Sequence, residues 1–225
     1  RITDYFKMRN TQTFRGMATW HPILLAPDEE KLRAYADPAI STPLMQEAHR
    51  KAYDAIKAVR PGLLVGISLT TQDIQPVGPN SLADVYIEKL YGDWVRVART
   101  HADFVGVQPY TRFLVDDKGI AMPPKEAVIT DAGYEYYPQA VAGTIRWAHK
   151  AIGKPIYVTE SGIATNDDTQ RIAFIDQALA SLRDCLDEGI PVHSYMYWSL
   201  LDNFECPSGY SKHFGLVAVD LQTFQ

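Results

Sequence analysis

Cysteine is nearly missing from this chain: two among 225 residues, Cys185 and Cys206, with no CxxC pair. A disulfide scaffold and a thiolate zinc site both require more, so reduced thiols in a cytoplasmic protein are the expectation. The six histidines are scattered, without HExxH or a similar pair, and no metal is expected. No apolar run reaches the roughly 18 residues of a membrane span, and the opening RITDYFKMRN does not read as a signal peptide. Basic excess is lacking too. The 22 Lys and Arg against 27 Asp and Glu give a net charge of −5, no footprint for nucleic acid or an anionic membrane. Neither GxGxxG nor a P-loop follows any strand-like run, which argues against a nucleotide cofactor. A neutral, polar small molecule is the expected partner.

What is present is an alternation of two periodicities. Residues 43–60 (PLMQEAHRKAYDAIKAVR) follow Ser41 and Thr42, carry apolar residues at 44, 48, 52, 56 and 59, and meet Pro61-Gly62, which predicts an amphipathic helix. LLVGISL (63–69) predicts a buried strand with TTQDIQPVGPN as its turn-rich sequel, and a second helix follows over about 82–100. The unit repeats as strand 103–110, helix 138–153 ending at Gly153, and strand 155–162. It repeats again as helix 168–188, with Ile172, Ile175, Leu179, Leu182 and Leu186 on one face, and strand 193–200. Helix and strand in strict alternation predict an α/β fold with a parallel sheet. Polar and aromatic residues gather after the strands, at 70–75, 108–112, 160–162 and 198–205. Such convergence at the carboxyl ends of parallel strands is the catalytic face of a (β/α)8 TIM barrel.

Glu160 ends an apolar strand and precedes Ser161-Gly162, so its carboxylate sits on a rigid element beside a cleft, suited to a nucleophile or a base. Tyr110 ends the preceding strand, where its hydroxyl can orient a carboxylate on the next one. Trp198 offers an apolar face to the C–H surface of a sugar, and Glu205 accepts hydrogen bonds from neutral hydroxyls. Two carboxylates, an aromatic platform and phenol or amide donors around one mouth make a carbohydrate-like site.

These residues lie in PIYVTESG, FVGVQPYTR, YEYYPQAV and YWSLLDNFECPSGYSKHFGLVAVD, and through these motifs nearly the whole chain resembles glycoside hydrolase family 1, the retaining β-glycosidases. The resemblance implies that Glu160 is the nucleophile and Tyr110 its contact, together the catalytic pair. It implies that Trp198 and Glu205 line the subsite of the non-reducing terminal sugar, with Phe214 near the same pocket. Departures occur at Ser161 and Gln108, each where the family has Asn, and at Cys206, where it has a second tryptophan that donates to a sugar hydroxyl. Gln108 and Cys206 are thus also expected to bind substrate.

A retaining glycosidase needs a second carboxyl group roughly 5 to 5.5 Å from the nucleophile, which the family takes from an NEP motif. No NEP occurs in these residues. The four strands match the family's fifth to eighth, so the expectation is a single catalytic-domain portion over 1–225, the carboxyl-terminal half of a barrel cut at both ends. Two readings follow. One is part of a β-glucosidase-like enzyme acting on a small-molecule β-glycoside or oligosaccharide, without a cofactor, whose acid/base lies elsewhere and which alone is inactive. The other is a catalytically incomplete half-barrel serving as a carbohydrate-binding module.

Overall fold

A computed structural model describes residues 38–205, 208–220 and 222–223. The chain divides into two compact units, Arg1–Val65 and Gly66–Gln225. In the first, helix α1 (Pro38–Val59) contains Pro43, so it begins before the start expected at 43. A proline suits a first turn; Pro43 lies in the second, where it withdraws its N–H from the ladder and its ring crowds the preceding turn, yet the helix continues through it. At the other end the Lys57 ammonium donates to the carbonyl oxygens of Pro61 and Leu63, at 3.3 and 2.6 Å, closing the exit from the helix.

The second unit runs β1 (Gly66–Pro76), α2 (Ala83–Ile87), a π-helical turn (Glu88–Gly92), α3 (Asp93–Thr100), β2 (Phe104–Val115), α4 (Ala140–Ile152), β3 (Ile156–Val158), α5 (Asp168–Asp187) and β4 (Val192–Tyr195). All neighbours in the β1-β2-β3-β4 sheet are parallel, as the alternation predicts. Val105, Val107, Ile156 and Val158 are wholly inaccessible, and Val141, Ile145 and Ala148 of α4 are buried with them. These strand positions alternate along β2 and β3, so they share the face that packs on α4.

Several sequence expectations change in this unit: β1 begins at Gly66 and not at 63, and β3 and β4 stop at Val158 and Tyr195, short of 162 and 200. The segment read as turns after 69 continues β1 to Pro76, because β2 also runs on, to Val115, and supplies a parallel partner up to the Pro76–Val115 pair. The helix expected over 82–100 is interrupted by the π turn, which carries Tyr91 into the interior. There the Tyr91 hydroxyl accepts from the Gln72 backbone N–H and donates to Gln72 Oε1, at 3.0 and 2.9 Å. Finally, α5 buries Arg171, Phe174, Ala178, Ser181 and Cys185, not the aliphatic face, and Ile172, Leu179 and Leu186 remain exposed. Small side chains at 178, 181 and 185 let the helix lie close to α4, where the Cys185 thiol reaches the Ala142 carbonyl at 3.8 Å.

The carboxyl ends of β1 and β2 are locked by a polar cluster. Arg112 donates to both oxygens of Glu135, at 2.9 and 2.7 Å, and to Gln75 Oε1 at 3.1 Å, and its guanidinium lies 4.1 Å from the Tyr137 ring centre. The Glu135 side chain is 8% exposed and that of Arg112 19%, so removing either partner strands the other away from water. Glu135→Ala is expected to destabilise the protein by about 2–4 kcal/mol. Urea unfolding of the pure variant checks this, and a midpoint equal to wild type would refute it. Among the described residues no helix is long and apolar enough to cross a membrane, and no group of three or more His, Cys, Asp or Glu side chains could hold a metal ion.

Candidate active site

Parallel register brings the expected residues to one end of the sheet. Val107 pairs with Val158, which sets Gln108 and Tyr110 of β2 beside the Thr159-Glu160 segment that leaves β3. Gln108 Nε2 donates to Glu160 Oε1 at 2.8 Å, and the Tyr110 hydroxyl donates to Oε2 at 2.6 Å. Each oxygen of the half-buried carboxylate therefore receives its own donor.

Burial raises the Glu160 pKa above the ordinary glutamate range, the Tyr110 hydrogen bond opposes this, and the negative charge of Glu205 adds to it. The Tyr110 phenol is pushed far above its ordinary value, first by burial and then by the Glu160 carboxylate it contacts. Tyr110 is consequently a permanent donor at physiological pH, and it holds Glu160 without competing for its proton.

Gly162 allows the next strand end to close in. A Cβ there would lie 2.0 Å from the Trp198 carbonyl oxygen, so only glycine permits the approach. The Trp198 N–H in turn donates to the Ser161 carbonyl at 2.9 Å. Its indole Nε1 donates to Glu205 Oε1 at 2.8 Å, and the Trp198-Ser199 peptide bond is cis. Burial raises the pKa of Glu205 while the indole hydrogen bond lowers it. Phe214 is buried and meets Tyr110 edge to face, ring centres 6.1 Å apart. The return segment that carries Phe214 is tied down by Asp202, which contacts His213 Nδ1 at 2.9 Å and accepts from the Gly215 N–H at 2.8 Å.

Glu160, Tyr110, Gln108, Trp198, Glu205 and Phe214 thus belong to one site. Cys206 lies outside the described residues. Gln108, expected to touch substrate, spends its amide on Glu160 and on Thr70, whose hydroxyl donates to Oε1 at 2.5 Å.

Residue patterns did not single out Thr70, Tyr134 or Arg171. The Tyr134 hydroxyl is buried with no hydrogen-bond partner among the described residues, and its ring centre lies 6.3 Å from that of Tyr110. Only the YEYYPQAV stretch marks that segment in the sequence. The buried Arg171 guanidinium donates to the carbonyls of Ile163, Thr165 and His213, at 3.1, 2.6 and 3.3 Å. It binds the loop after Glu160 to the segment of Phe214, a role that a charged helix residue does not announce, since most arginines face water.

Chemically, the arrangement offers an ionisable carboxylate with both oxygens held and an aromatic wall. A second carboxylate beside an indole is suited to neutral hydroxyls.

Comparison with known proteins agrees with the geometry. The model of glycosyl hydrolase family 1 matches residues 114–225. A β-galactosidase of Sulfolobus acidocaldarius is 30% identical over 210 residues, covering 79% of this chain and 43% of the relative. Beta-glucosidase A of Thermotoga maritima is 30% identical over 153 residues, covering 61% of this chain and 34% of its own. Among solved structures, an apo β-glucosidase designated 1317 is 36% identical with a TM-score of 0.82, over 96% of this chain and 55% of that one. The β-glycosidase BGL167 is 39% identical with a TM-score of 0.78, over 85% and 46%. The chain spans about half the length of the relatives it matches, or less. By its motifs, its parallel four-stranded sheet and these likenesses, the chain belongs to glycosyl hydrolase family 1 and carries part of a TIM barrel of the β-glucosidase kind.

Proposed function

We propose that the polypeptide to which these residues belong is a retaining β-glucosidase-like enzyme that hydrolyses terminal non-reducing β-D-glycosides, with Glu160 as its nucleophile. The observation that carries this reading is the Glu160 carboxylate with one donor on each oxygen, Gln108 Nε2 at 2.8 Å and the Tyr110 hydroxyl at 2.6 Å. A nucleophilic carboxylate must be ionised and aimed, and two hydrogen bonds to its charged form do both.

In the first half-reaction a Glu160 oxygen forms a bond to the anomeric carbon as the bond to the aglycone oxygen breaks. A carboxylic acid gives its proton to that leaving oxygen. Water then attacks the same carbon from the vacated face as its bond to the Glu160 oxygen breaks, gives a proton to the acid's conjugate base, and the sugar leaves with its original configuration and Glu160 as carboxylate again. We assign the acid/base to a carboxyl outside these 225 residues, since the NEP motif is absent from them. Trp198 stacks on the terminal sugar and Glu205 accepts from its hydroxyls, with Phe214 at the edge of the same pocket.

A 2-deoxy-2-fluoro-β-glucoside with a good leaving group tests the assignment. Its electron-poor anomeric centre slows the second step, so the complete polypeptide should gain the mass of one fluoroglucosyl group, located by peptide mapping on residues 155–162. A label on another carboxylate would overturn the role of Glu160. Saturable binding without any label would favour the binding-module reading.

A further inference from the structure

We propose that Thr70 is a positioning residue for the Glu160 site, its hydroxyl anchoring the Gln108 amide and strengthening the hydrogen bond that the amide gives to the carboxylate. The inference rests on Glu160 being the nucleophile, and it concerns how that group is kept ionised.

An ionised carboxylate can only accept hydrogen bonds, so a neighbouring amide helps it by presenting N–H and harms it by presenting C=O. The terminal torsion of glutamine is soft and roughly two-fold, so an acceptor-only carboxylate draws the N–H2 end toward itself, and a donor at the far end holds the amide there. In this site Gln108 Nε2 meets Glu160 Oε1 at 2.8 Å, and the far end, Oε1, can only accept. The group facing it is the Thr70 hydroxyl, which donates at 2.5 Å. A reversed amide would set two oxygens against each other at Glu160, so the carboxylate selects the orientation, and the Thr70 hydroxyl, by donating to the far oxygen, anchors and polarises the amide in it.

Strand register places the pair. Thr70 of β1 lies directly opposite Gln108 of β2, and the next residue, Thr71, accepts from the Gln108 backbone N–H at 3.2 Å. Consecutive threonines therefore hold the backbone and the side chain of one glutamine. The result is a line of donors pointing one way, from the Thr70 O–H through the Gln108 amide to Glu160, in which each bond polarises the next. Among the described residues the titratable groups that face Glu160 are Tyr110 of β2, which contacts Oε2, and Glu205 from the segment after β4, whose charge opposes ionisation.

Valine has the shape of threonine without the hydroxyl, so Thr70→Val separates the hydrogen bond from strand packing. The complete polypeptide, labelled with [δ-13C]glutamate, would be titrated by NMR, with the Glu160 resonance identified by its loss in Glu160→Gln. Thr70→Val is expected to move the Glu160 titration upward by about half to one pH unit. Thr70→Ser should restore the wild-type curve. Gln108→Leu and the double variant Thr70→Val/Gln108→Leu should titrate alike, because Thr70 acts only through the amide.

A wild-type titration in Thr70→Val would overturn the proposal. So would an equal shift in Thr70→Ser, which keeps the hydroxyl, or additive shifts in the double variant. Retained turnover in Glu160→Gln would instead remove the nucleophile assignment and leave the titration result standing.

Discussion

Replacing Glu160 by glutamine is expected to lower kcat/KM of the complete polypeptide on an aryl β-glucoside by about four orders of magnitude or more. The amide is nearly isosteric and still meets Gln108 and Tyr110, but it is a poor nucleophile and cannot form the glycosyl ester. The same substitution should raise the thermal midpoint near neutral pH, and the sign follows from the pKa. Burial, aided by the charge of Glu205, lifts Glu160 in the fold above its value in the unfolded chain. The unfolded state therefore ionises first. The stability associated with the neutral form is present below the unfolded value, about 4.3, and is lost as pH rises through the folded one. A neutral glutamine escapes that loss, so its advantage should be visible at pH 7 and vanish near pH 3. Paired melting curves and steady-state rates check both parts. Activity within tenfold of wild type would sink the assignment, and a lower midpoint at pH 7 would mean that Glu160 is not held at a cost.

Glu205→Gln carries the second large effect. In the proposed role of Glu205, two charge-assisted hydrogen bonds to sugar hydroxyls become neutral ones, and at about 1.5 kcal/mol lost for each the expected fall in kcat/KM is about 10²-fold. The Trp198 indole keeps an acceptor, since an amide oxygen can replace the carboxylate oxygen it meets at 2.8 Å. The loss is thus one of charge and not of local architecture. A second signature distinguishes this variant from general damage. Glu205 raises the Glu160 pKa, so neutralising it should move the acidic limb of the kcat/KM profile to lower pH. A profile whose acidic limb stays in place, or a rate within threefold of wild type, would place Glu205 outside the sugar subsite.

Much of this site was legible in the sequence because barrel geometry converts strand ends into neighbours. Glu160, Tyr110, Trp198 and Glu205 each close an apolar run or follow one, and parallel register brings such positions to a single end. The misreadings share a different cause. Residues 70–76 are polar and rich in turn formers, yet they form a strand because β2 runs alongside them. Along α5 the aliphatic stripe outweighs its neighbours in hydropathy, but close packing on α4 favours the small residues at 178, 181 and 185. Gln108 was expected to bind substrate, and the cross-strand positions of Thr70 and Glu160 show that each end of its amide also has a protein partner.

The sequence by itself determined the α/β class, the order of helices and strands, and the identity of the carboxylates, since these depend on local periodicity and on motifs contiguous in the chain. Only the tertiary structure decided the second partner of Glu160, the orientation of the Gln108 amide and the role of the buried Arg171. Those contacts join residues far apart in the chain, 38 positions from Thr70 to Gln108 and 52 from Gln108 to Glu160. Hydrogen-bond direction between them depends on distance and on which group can donate, properties that exist only after the strands have paired.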